Sequence, residues 1–493
     1  MSRLVALLST ALVSCALLVS SCARNPVTGK TDVTMTSEKG EIEQGRKAHE
    51  QVIKFYGVYA DQNLQEYINE IGQKLAHASQ RPELEWHFTI VDSQEINAFA
   101  LPGGYIYITR GILAYLNNEA QLAAVLGHEI GHVCARHQVR QQTQQTLAGI
   151  LGTGAAIFTG NAAVADLANI GGQALLKGYG RDMELEADHL GAQYIAKTGY
   201  DPQAMIGVIG VLKNQEVYEI DRARQEGREP RIYHGVFASH PSADERLQQA
   251  VSSVKETSST VVANPRVGVE DYLRHIDGLP FGTSKQQGTV RDNRFYHAGL
   301  GITIAFPKDW VVENQQNRLI VHSKTNDALM QMTADRRPDN LGPREYLQKN
   351  LGARAATDGE ELKLDGGMQG YAMIAKSGSP LDGGHGPVRY IAIYKDKLVY
   401  IFACASRSNP NSIPQHDRIF LSTAQTLRAL KPSEFPLTEP FRIRVVKAPP
   451  GATMEQMAQG SPIQKDPVQM LRLLNDLYPK KDPEPGKPVK IVN

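Results

Sequence analysis

The sequence is poor in cysteine, with four cysteines in 493 residues. Two of them, Cys15 and Cys22, lie near the N-terminus, and the other two are Cys134 and Cys404. So few cysteines exclude the disulfide framework on which small secreted proteins rely. The stability of this chain must instead come from packed apolar cores, and its length leaves room for roughly two to four domains.

An excess of charge of either sign is also absent. The 53 lysines and arginines nearly balance the 52 aspartates and glutamates, which leaves a formal net charge of +1. A nucleic-acid partner, or a purely electrostatic attachment to membranes, would favour a strong basic excess. The composition therefore indicates no nucleic-acid partner and no electrostatically driven membrane binding.

Against this even background, His128 and His132 form a pattern with a specific chemical meaning. The preceding residues 117–127 begin with two asparagines suited to cap a helix and continue with helix formers at apolar spacing. On a helix, positions i and i+4 lie on one face, so both imidazoles can reach a single metal ion. Glu129 is then placed to act on a metal-bound water molecule. The alternative is a helix that carries these residues by coincidence.

The type of the third ligand distinguishes classes of metal-dependent hydrolase. The pattern with three histidines would place the last one six residues after His132, where this chain has Gln138. His137 lies nine residues after His128, which on a continuous helix is the opposite face. We therefore expect His137 to be a surface or packing histidine and a downstream acid to complete the site.

Glu184 is the best candidate for that acid. Glu184 and Asp188 are four residues apart and share a helix face, whereas Glu186 points away from it. Glu184 can then bind the metal, and Asp188 can accept a hydrogen bond from the free ring nitrogen of a ligand histidine. The alternative is an acidic, solvated helix face.

These two motifs resemble the HExxH and ExxxD motifs of the HtpX-like, CAAX-prenyl-endopeptidase-like zinc metallopeptidases, a family of gluzincins. Residues 97–111, and the segment from Ser239-His240-Pro241 to Arg246, are similar to further segments of that family. Together the matches cover most of residues 40–260. The layout is similar to that of bacterial envelope lipoproteins of the BepA type, although the tetratricopeptide repeats of those proteins are not evident here.

The resemblance implies one zinc ion per chain with three ligands: His128, His132 and Glu184. Two neutral imidazoles and a carboxylate leave an open position for water, whose pKa zinc lowers towards neutrality. Glu129 would be the general base for that water. The resemblance also places His240 and Arg246 near the site, where they would stabilise the oxyanion. His240 could instead cap the metal in a resting state, or be a plain loop histidine.

Residues 105–109, Tyr-Ile-Tyr-Ile-Thr, alternate like a half-buried strand. Proteases of this kind bind extended substrates by adding them to the edge of a sheet. This strand is therefore a candidate for substrate binding. It is also interpreted as a strand in the core, and the two interpretations are compatible.

The N-terminus has the pattern of an exported protein. The apolar run Leu4–Val19 is too short for a secure membrane span and is typical of a signal peptide. It ends in Val19-Ser20-Ser21-Cys22, which resembles a lipobox. We therefore expect residues 1–21 to be a lipoprotein signal peptide.

In that interpretation Cys22 carries the lipid, with Cys15 or an ordinary secretory signal as the alternatives. Ala23 follows, not the aspartate that marks retention at the inner membrane in many lipoproteins. The outer membrane, facing the periplasm, is therefore favoured, and several acyl chains would anchor the protein without a transmembrane helix.

Residues 147–176 separate the two zinc motifs and are rich in glycine and alanine, with almost no charge. A membrane hairpin is conceivable, but the many glycines, the asparagines and Asp166 argue against a stable span. We predict helices and loops that pack beside or over the cleft, and a mobile lid is a hypothesis for this segment.

The composition changes after the family segment. Residues 389–394 and 398–402 predict a hairpin among several short strands and turns. We expect an α+β accessory domain over residues 290–432, joined by a linker at 263–289. It shows no catalytic constellation.

Residues 438–493 predict the order strand, helix, helix, strand. This order is similar to a LysM module, which binds the glycan of peptidoglycan. Ala452 stands where that motif commonly has aspartate, and the spacing is irregular. A degenerate docking domain is therefore as good an interpretation as peptidoglycan binding.

The expected fold class is α+β, with a mainly helical gluzincin metalloprotease domain and a small sheet over residues 22–262. The expected function is a zinc-dependent endopeptidase that cleaves misfolded or stalled proteins of the bacterial envelope. The alternative is a chaperone-like or peptidoglycan-binding lipoprotein with minor proteolytic activity. A membrane-embedded prenyl-protein protease would need several membrane spans, which the sequence lacks.

Overall fold

The computed structural model describes these residues of the chain: 22–34, 36–151, 178–230, 264–315, 317–352, 355–382, 386–407 and 416–493. The predictions for residues 1–21, His240 and Arg246, and most of the segment 147–176, lie outside this part of the chain. Within it, no helix combines the length and the apolar character that crossing a membrane requires.

The chain divides into two compact units. The first contains the described residues up to Phe281 together with Arg442–Asn493, and the second is Gly282–Phe441. Both units contain helices and sheets, so the chain is mixed α and β, consistent with the predicted α+β class. The finer domain boundaries from the sequence stay predictions.

Helices dominate the first unit. Their starts follow local capping rules, since the side chains of Ser37, Asp61 and Asn118 each accept a hydrogen bond from a backbone N–H three residues on. The helices are α1 Glu38–Tyr56, α2 Gln62–His77, α3 Arg110–Tyr115, α4 Glu119–Cys134, α5 His137–Leu151, α6 Arg181–Lys197, α7 Ala204–Glu226 and α8 Val269–Ile276.

A two-stranded hairpin, β1 Cys22–Arg24 and β2 Thr31–Val33, precedes these helices. A three-stranded sheet packs among them, made of β3 His87–Val91, β4 Ala98–Leu101 and β5 Tyr105–Thr109 in the order β3-β5-β4. The central strand β5 pairs in parallel with β3 and antiparallel with β4.

The expectation that residues 105–109 offer a sheet edge to a substrate is therefore wrong. Both sides of β5 are already occupied, and Ile106–Thr109 are buried. Alternation along a strand reports which residues face the core, but it carries no information about how many neighbours the strand has. Among the described residues, the outer strand on the β4 side is Ala98–Leu101.

Helix α4 lies at the centre of the first unit, and all of its residues are buried. It packs against α6 with very close backbone contact. A Cβ atom added at Gly191 would lie 2.9 Å from the backbone nitrogen of His128, and one at Gly131 would lie 3.0 Å from the carbonyl oxygen of Ala187. Only glycine permits this approach, which places side chains of α4 and α6 within reach of one another.

The C-terminal residues of the first unit follow the order strand, helix, helix, strand. These elements are β18 Phe441–Lys447, α11 Met454–Met457, α12 Pro467–Leu474 and β19 Pro488–Val492, and the short strand β6 Pro280–Phe281 joins their sheet. Lys490 is fully buried, and its Nζ atom donates to the carbonyl oxygens of Ala114 and Leu116 at 2.7 Å each. This segment is therefore fixed to the chain just before α4.

The second unit is built on a seven-stranded antiparallel sheet and a four-stranded sheet. The orders are β10-β11-β12-β16-β15-β14-β13 and β17-β9-β8-β7. The strands are β7 Thr289–Arg291, β8 Arg294–His297, β9 Ile302–Ala305, β10 Val311–Gln315, β11 Arg318–His322, β12 Ala328–Arg336, β13 Ala355–Leu362, β14 Gln369–Ala375, β15 Val388–Lys395, β16 Leu398–Ser406 and β17 Arg428–Ala429, and the helices are α9 Pro343–Leu351 and α10 Asp417–Gln425.

Candidate metal centre

Helix α4 presents two imidazoles to one point. His128 and His132 are one turn apart, and their Nε2 atoms are 2.9 Å from each other. Both side chains are buried. The i, i+4 spacing read from the sequence thus produces the facing pair of nitrogen donors that a metal site needs.

Helix α6 brings Glu184 to the same point. Its carboxylate oxygens lie 3.6 Å from Nε2 of His128 and 3.5 Å from Nε2 of His132. One donor atom from each of the three residues lies within 4.8 Å of the others. The structure therefore brings together the three ligands predicted from the sequence.

The donor set fits zinc. Two imidazole nitrogens and one carboxylate oxygen are the ligands of many catalytic zinc sites, and at bond lengths of about 2.1 Å a tetrahedral ion separates its donors by about 3.4 Å. The two distances from Glu184 to the imidazoles are close to that value. Glu184 is fully buried, and a buried carboxylate beside two imidazoles is costly unless a cation balances its charge.

Asp188 lies behind His128, on the same helix as Glu184. Its Oδ1 atom is 2.8 Å from Nδ1 of His128, and its side chain is also buried. A carboxylate in this position keeps the proton of His128 on Nδ1 and leaves Nε2 as the metal donor. The contact expected between Asp188 and a candidate ligand histidine is present, and the support of a metal ligand by Asp188 stays a prediction.

Glu129 follows His128 directly and is 2 % exposed. It is close enough to the buried Tyr179 to affect that residue: burial first, and then the negative charges of Glu129 and Glu184, raise the pKa of the Tyr179 hydroxyl. The Tyr179 ring stacks on His132, with ring centroids 4.1 Å apart. No motif in the sequence identifies Tyr179. The available indication is that Tyr179 lies two residues before the start of α6, the helix that carries Glu184.

Of the two roles predicted for His137, surface or packing histidine, the structure contradicts the first. His137 is fully buried, and its Nδ1 atom lies 2.8 Å from Nδ1 of His132. The helical count failed because α4 ends at Cys134, and Arg136 adopts a left-handed conformation with φ 55° before α5 begins at His137. The turn returns His137 to the side of His132 instead of carrying it to the far face.

Glu186 points away from the three ligands, as predicted, but it contacts His137. Its Oε2 atom lies 3.1 Å from Nε2 of His137 and 3.0 Å from Nη1 of Arg140. The hydrogen bond with His137, followed by that with Arg140, outweighs partial burial and lowers the pKa of Glu186 to about 2. Burial lowers the pKa of His137 more than Glu186 raises it, which favours a neutral imidazole.

The start of α4 is fixed by Glu119, which is 3 % exposed. Its carboxylate accepts hydrogen bonds from Tyr67 at 3.0 Å, from Tyr200 at 2.7 Å and from both Nε and Nη2 of Arg266 at 2.7 Å. Burial alone would raise the pKa of Glu119, but these hydrogen bonds lower it. A carboxylate in the first turn also interacts favourably with the helix dipole.

The other end of α4 is fixed by a buried ion network around Glu41 of α1. Glu41 accepts hydrogen bonds from Arg81 at 2.7 Å and from Arg136 at 2.8 Å, and Arg81 also donates to the carbonyl oxygen of Val133. Both ends of the helix that carries His128 and His132 are therefore held by charge-assisted hydrogen bonds, which limit its movement.

The geometry agrees with comparisons to known proteins. Residues 62–254 match the model of Peptidase family M48. The chain is 30% identical over 224 residues to the beta-barrel assembly-enhancing protease of Yersinia pestis, and this match covers 43% of each protein. It is 32% identical over 214 residues to the protease of the same name from Escherichia coli K12, and that match covers 41% of each protein. It is also 33% identical over 221 residues to the mitochondrial metalloendopeptidase OMA1 of Arabidopsis thaliana, covering 44% of this chain and 42% of that protein.

These matches confirm the predicted resemblance for the metallopeptidase part of the chain. The chain spans about two fifths of the length of the curated relatives that it matches. His128, His132 and Glu184 all lie within the segment that matches the family model.

Proposed function

We propose, from the peptidase family M48 domain formed by residues 62–254, that this protein is a zinc-dependent endopeptidase of the bacterial cell envelope. Its substrates would be misfolded or stalled envelope proteins. The observation that carries the proposal is the buried cluster of His128, His132 and Glu184 on two tightly packed helices. Two of the relatives are named for a role in β-barrel assembly, which supports a substrate among envelope proteins.

The residues of this chain divide the chemistry among themselves. When bound, zinc would supply Lewis-acid chemistry, which acidifies water and polarises the scissile carbonyl. The carboxylate of Glu129 would take a proton from the attacking water and later deliver it to the leaving amine. Asp188 would hold the ring of His128 in place through Nδ1 during these steps.

The substrate would lie along β4 rather than β5. In the part of the chain that the structure describes, Ala98–Leu101 is the outer strand on that side of the three-stranded sheet. Two of its residues, Ala100 and Leu101, line a small cavity together with His132 and Tyr179. An extended peptide added to this strand would therefore pass the metal centre. His240 and Arg246 stay candidates for stabilising the oxyanion, by resemblance alone.

The protein is expected to lose its peptidase activity when zinc is removed. Treatment with 1,10-phenanthroline should reduce cleavage of unfolded casein to background, and adding zinc back should restore it, because in the proposed mechanism the metal ion is the Lewis acid that activates the water. Metal content measured by mass spectrometry in the same samples provides the link to activity. Full cleavage by protein shown to be free of metal would rule out this function.

The proposed location is the periplasmic face of the outer membrane, with lipid on Cys22. The lipobox-like sequence Val19–Cys22 supports it. Replacing Cys22 with alanine should move the full-length protein from the membrane fraction to the soluble periplasmic fraction, since acylation supplies the anchor. Cys15→Ala is the matched control, because it alters the other lipobox-like cysteine. Membrane association that persists in Cys22→Ala but disappears in Cys15→Ala would assign the anchor to Cys15.

A further inference from the structure

A continuous chain of polar contacts extends from the metal centre into the protein behind His132. Nδ1 of His132 lies 2.8 Å from Nδ1 of His137, and Nε2 of His137 lies 3.1 Å from Oε2 of Glu186. Arg140 contacts the same oxygen of Glu186 at 3.0 Å. The chain therefore runs from one predicted ligand through a second imidazole to a carboxylate.

The positions of the protons along this chain follow from the chemistry of the groups. An imidazole that binds a metal through Nε2 carries its proton on Nδ1. His132 must then donate from Nδ1, so Nδ1 of His137 must accept. An imidazole that accepts at Nδ1 carries its proton on Nε2, and Nε2 of His137 can donate that proton to the carboxylate oxygen of Glu186, 3.1 Å away. Each contact thus fixes the tautomer of the next ring.

We propose that Glu186 and His137 are positioning residues that hold His132 in its metal-binding tautomer and orientation. His128 receives the same support directly from Asp188, at 2.8 Å. His132 receives this support indirectly, because His137 lies between it and the carboxylate of Glu186. The effect on zinc affinity does not depend on any substrate, whereas the effect on catalysis rests on the proposed peptidase function.

The surroundings favour this role over simple packing. His137 is fully buried, and both of its ring nitrogens have a polar neighbour within 3.1 Å. A residue that only filled space would not need two aligned partners. The left-handed turn at Arg136, itself held by Glu41, returns His137 to this position. An outer partner of a ligand histidine typically raises metal affinity by about 10–100-fold.

Two substitutions at His137 separate hydrogen bonding from packing. Phenylalanine keeps an aromatic ring but accepts no hydrogen bond, so His137→Phe is expected to weaken zinc binding by about 10–100-fold. In His137→Asn the amide oxygen can occupy the place of Nδ1 and accept from His132, so its zinc affinity should lie closer to the wild type. Competition with a chromophoric chelator measures both affinities on the full chain.

Glu186→Gln tests the far end of the chain. An amide can donate as well as accept, so it no longer specifies the tautomer of His137, and zinc binding should weaken. Glu186 is partly exposed, with 25% of its side chain accessible, so this substitution should leave the fold intact. If His137→Phe fails to fold, the zinc affinity of Glu186→Gln tests the proposal by itself.

The catalytic consequence has its own signature. Glu186 and His137 are proposed to act on catalysis only by strengthening zinc binding. Raising the free zinc concentration should therefore restore kcat of Glu186→Gln with KM unchanged. His77→Phe is the matched control, since it replaces an exposed histidine of α2 and should bind zinc like the wild type. Equal zinc affinity in the wild type, His137→Phe and Glu186→Gln would contradict the positioning role of His137 and Glu186 while leaving the proposed function intact. A wild-type protein that binds no zinc would instead contradict the proposed function itself.

Discussion

Replacing Glu129 with glutamine is expected to lower kcat/KM for an unfolded protein substrate by about 10²–10⁴-fold, the usual contribution of a general base. The amide has nearly the same shape as the carboxylate but cannot take a proton from water. Glu129 is buried and directly follows His128 in the chain, yet it is not one of the three clustered donors. The zinc content of the variant should therefore match that of the wild type.

This result also separates the two candidate functions. If proteolysis is the function, Glu129→Gln should bind substrate and accumulate it uncut, and a strain that carries the variant should resemble one that lacks the protein. If the protein acts as a chaperone-like or wall-binding lipoprotein, the strain should behave like the wild type. Glu70→Gln is the matched control, because it changes an exposed glutamate of α2. Wild-type rates of cleavage by Glu129→Gln would exclude Glu129 as the base.

Replacing Glu184 with alanine is expected to weaken zinc binding by more than about 100-fold, since even the loss of an outer partner costs about 10–100-fold. The site would keep two imidazoles on α4 but lose the donor from α6. Peptidase activity at low free zinc should disappear with the metal. Titration of free zinc against activity and metal content measures both effects.

Thermal unfolding gives an independent measure of the same substitution. A ligand present at roughly 100 times its Kd stabilises the folded protein by about 2.7 kcal/mol, so zinc should raise the Tm of the first unit in the wild type. It should raise it much less in Glu184→Ala. Without zinc the variant should be at least as stable as the wild type, because a buried carboxylate without a cation is destabilising.

The control for this substitution lies on the same helix. Asp182→Ala removes an acid from the first turn of α6, but the side chain of Asp182 is 91% exposed, so zinc affinity should not change. Full zinc occupancy together with full activity in Glu184→Ala would reject Glu184 as the third ligand. The search for that ligand would then return to acids elsewhere on α6.

Glu129 and Glu184 can be tested separately because they lie on different helices. Helix α4 carries the candidate general base Glu129, and α6 carries the candidate ligand Glu184. Glycines at 131 and 191 let the two backbones approach. Hydrogen bonds to Glu119 and Glu41 fix the two ends of α4. Such supporting contacts hold the side chains of the candidate metal centre in place.

The sequence by itself determined the features that depend on neighbours along one helix. The pairs His128 and His132, and Glu184 and Asp188, share faces because the helical repeat is local and regular. The hairpin over residues 388–406 was predictable for a similar reason, since its turn at Asp396 separates two runs rich in strand-forming residues.

Only the tertiary structure decided the features that depend on where an element ends or what it meets. The end of α4 at Cys134 and the left-handed turn at Arg136 place His137 against Nδ1 of His132, whereas the helical repeat had predicted the opposite face of the helix and a surface or packing role. Strand β5 is paired on both sides, so among the described strands the edge of the sheet is β4. Lys490 contacts residues more than 370 positions earlier in the chain, for which no local pattern exists. Helix ends and strand partners are set by competition among distant contacts, and a single sequence read by its local periodicity does not contain that information.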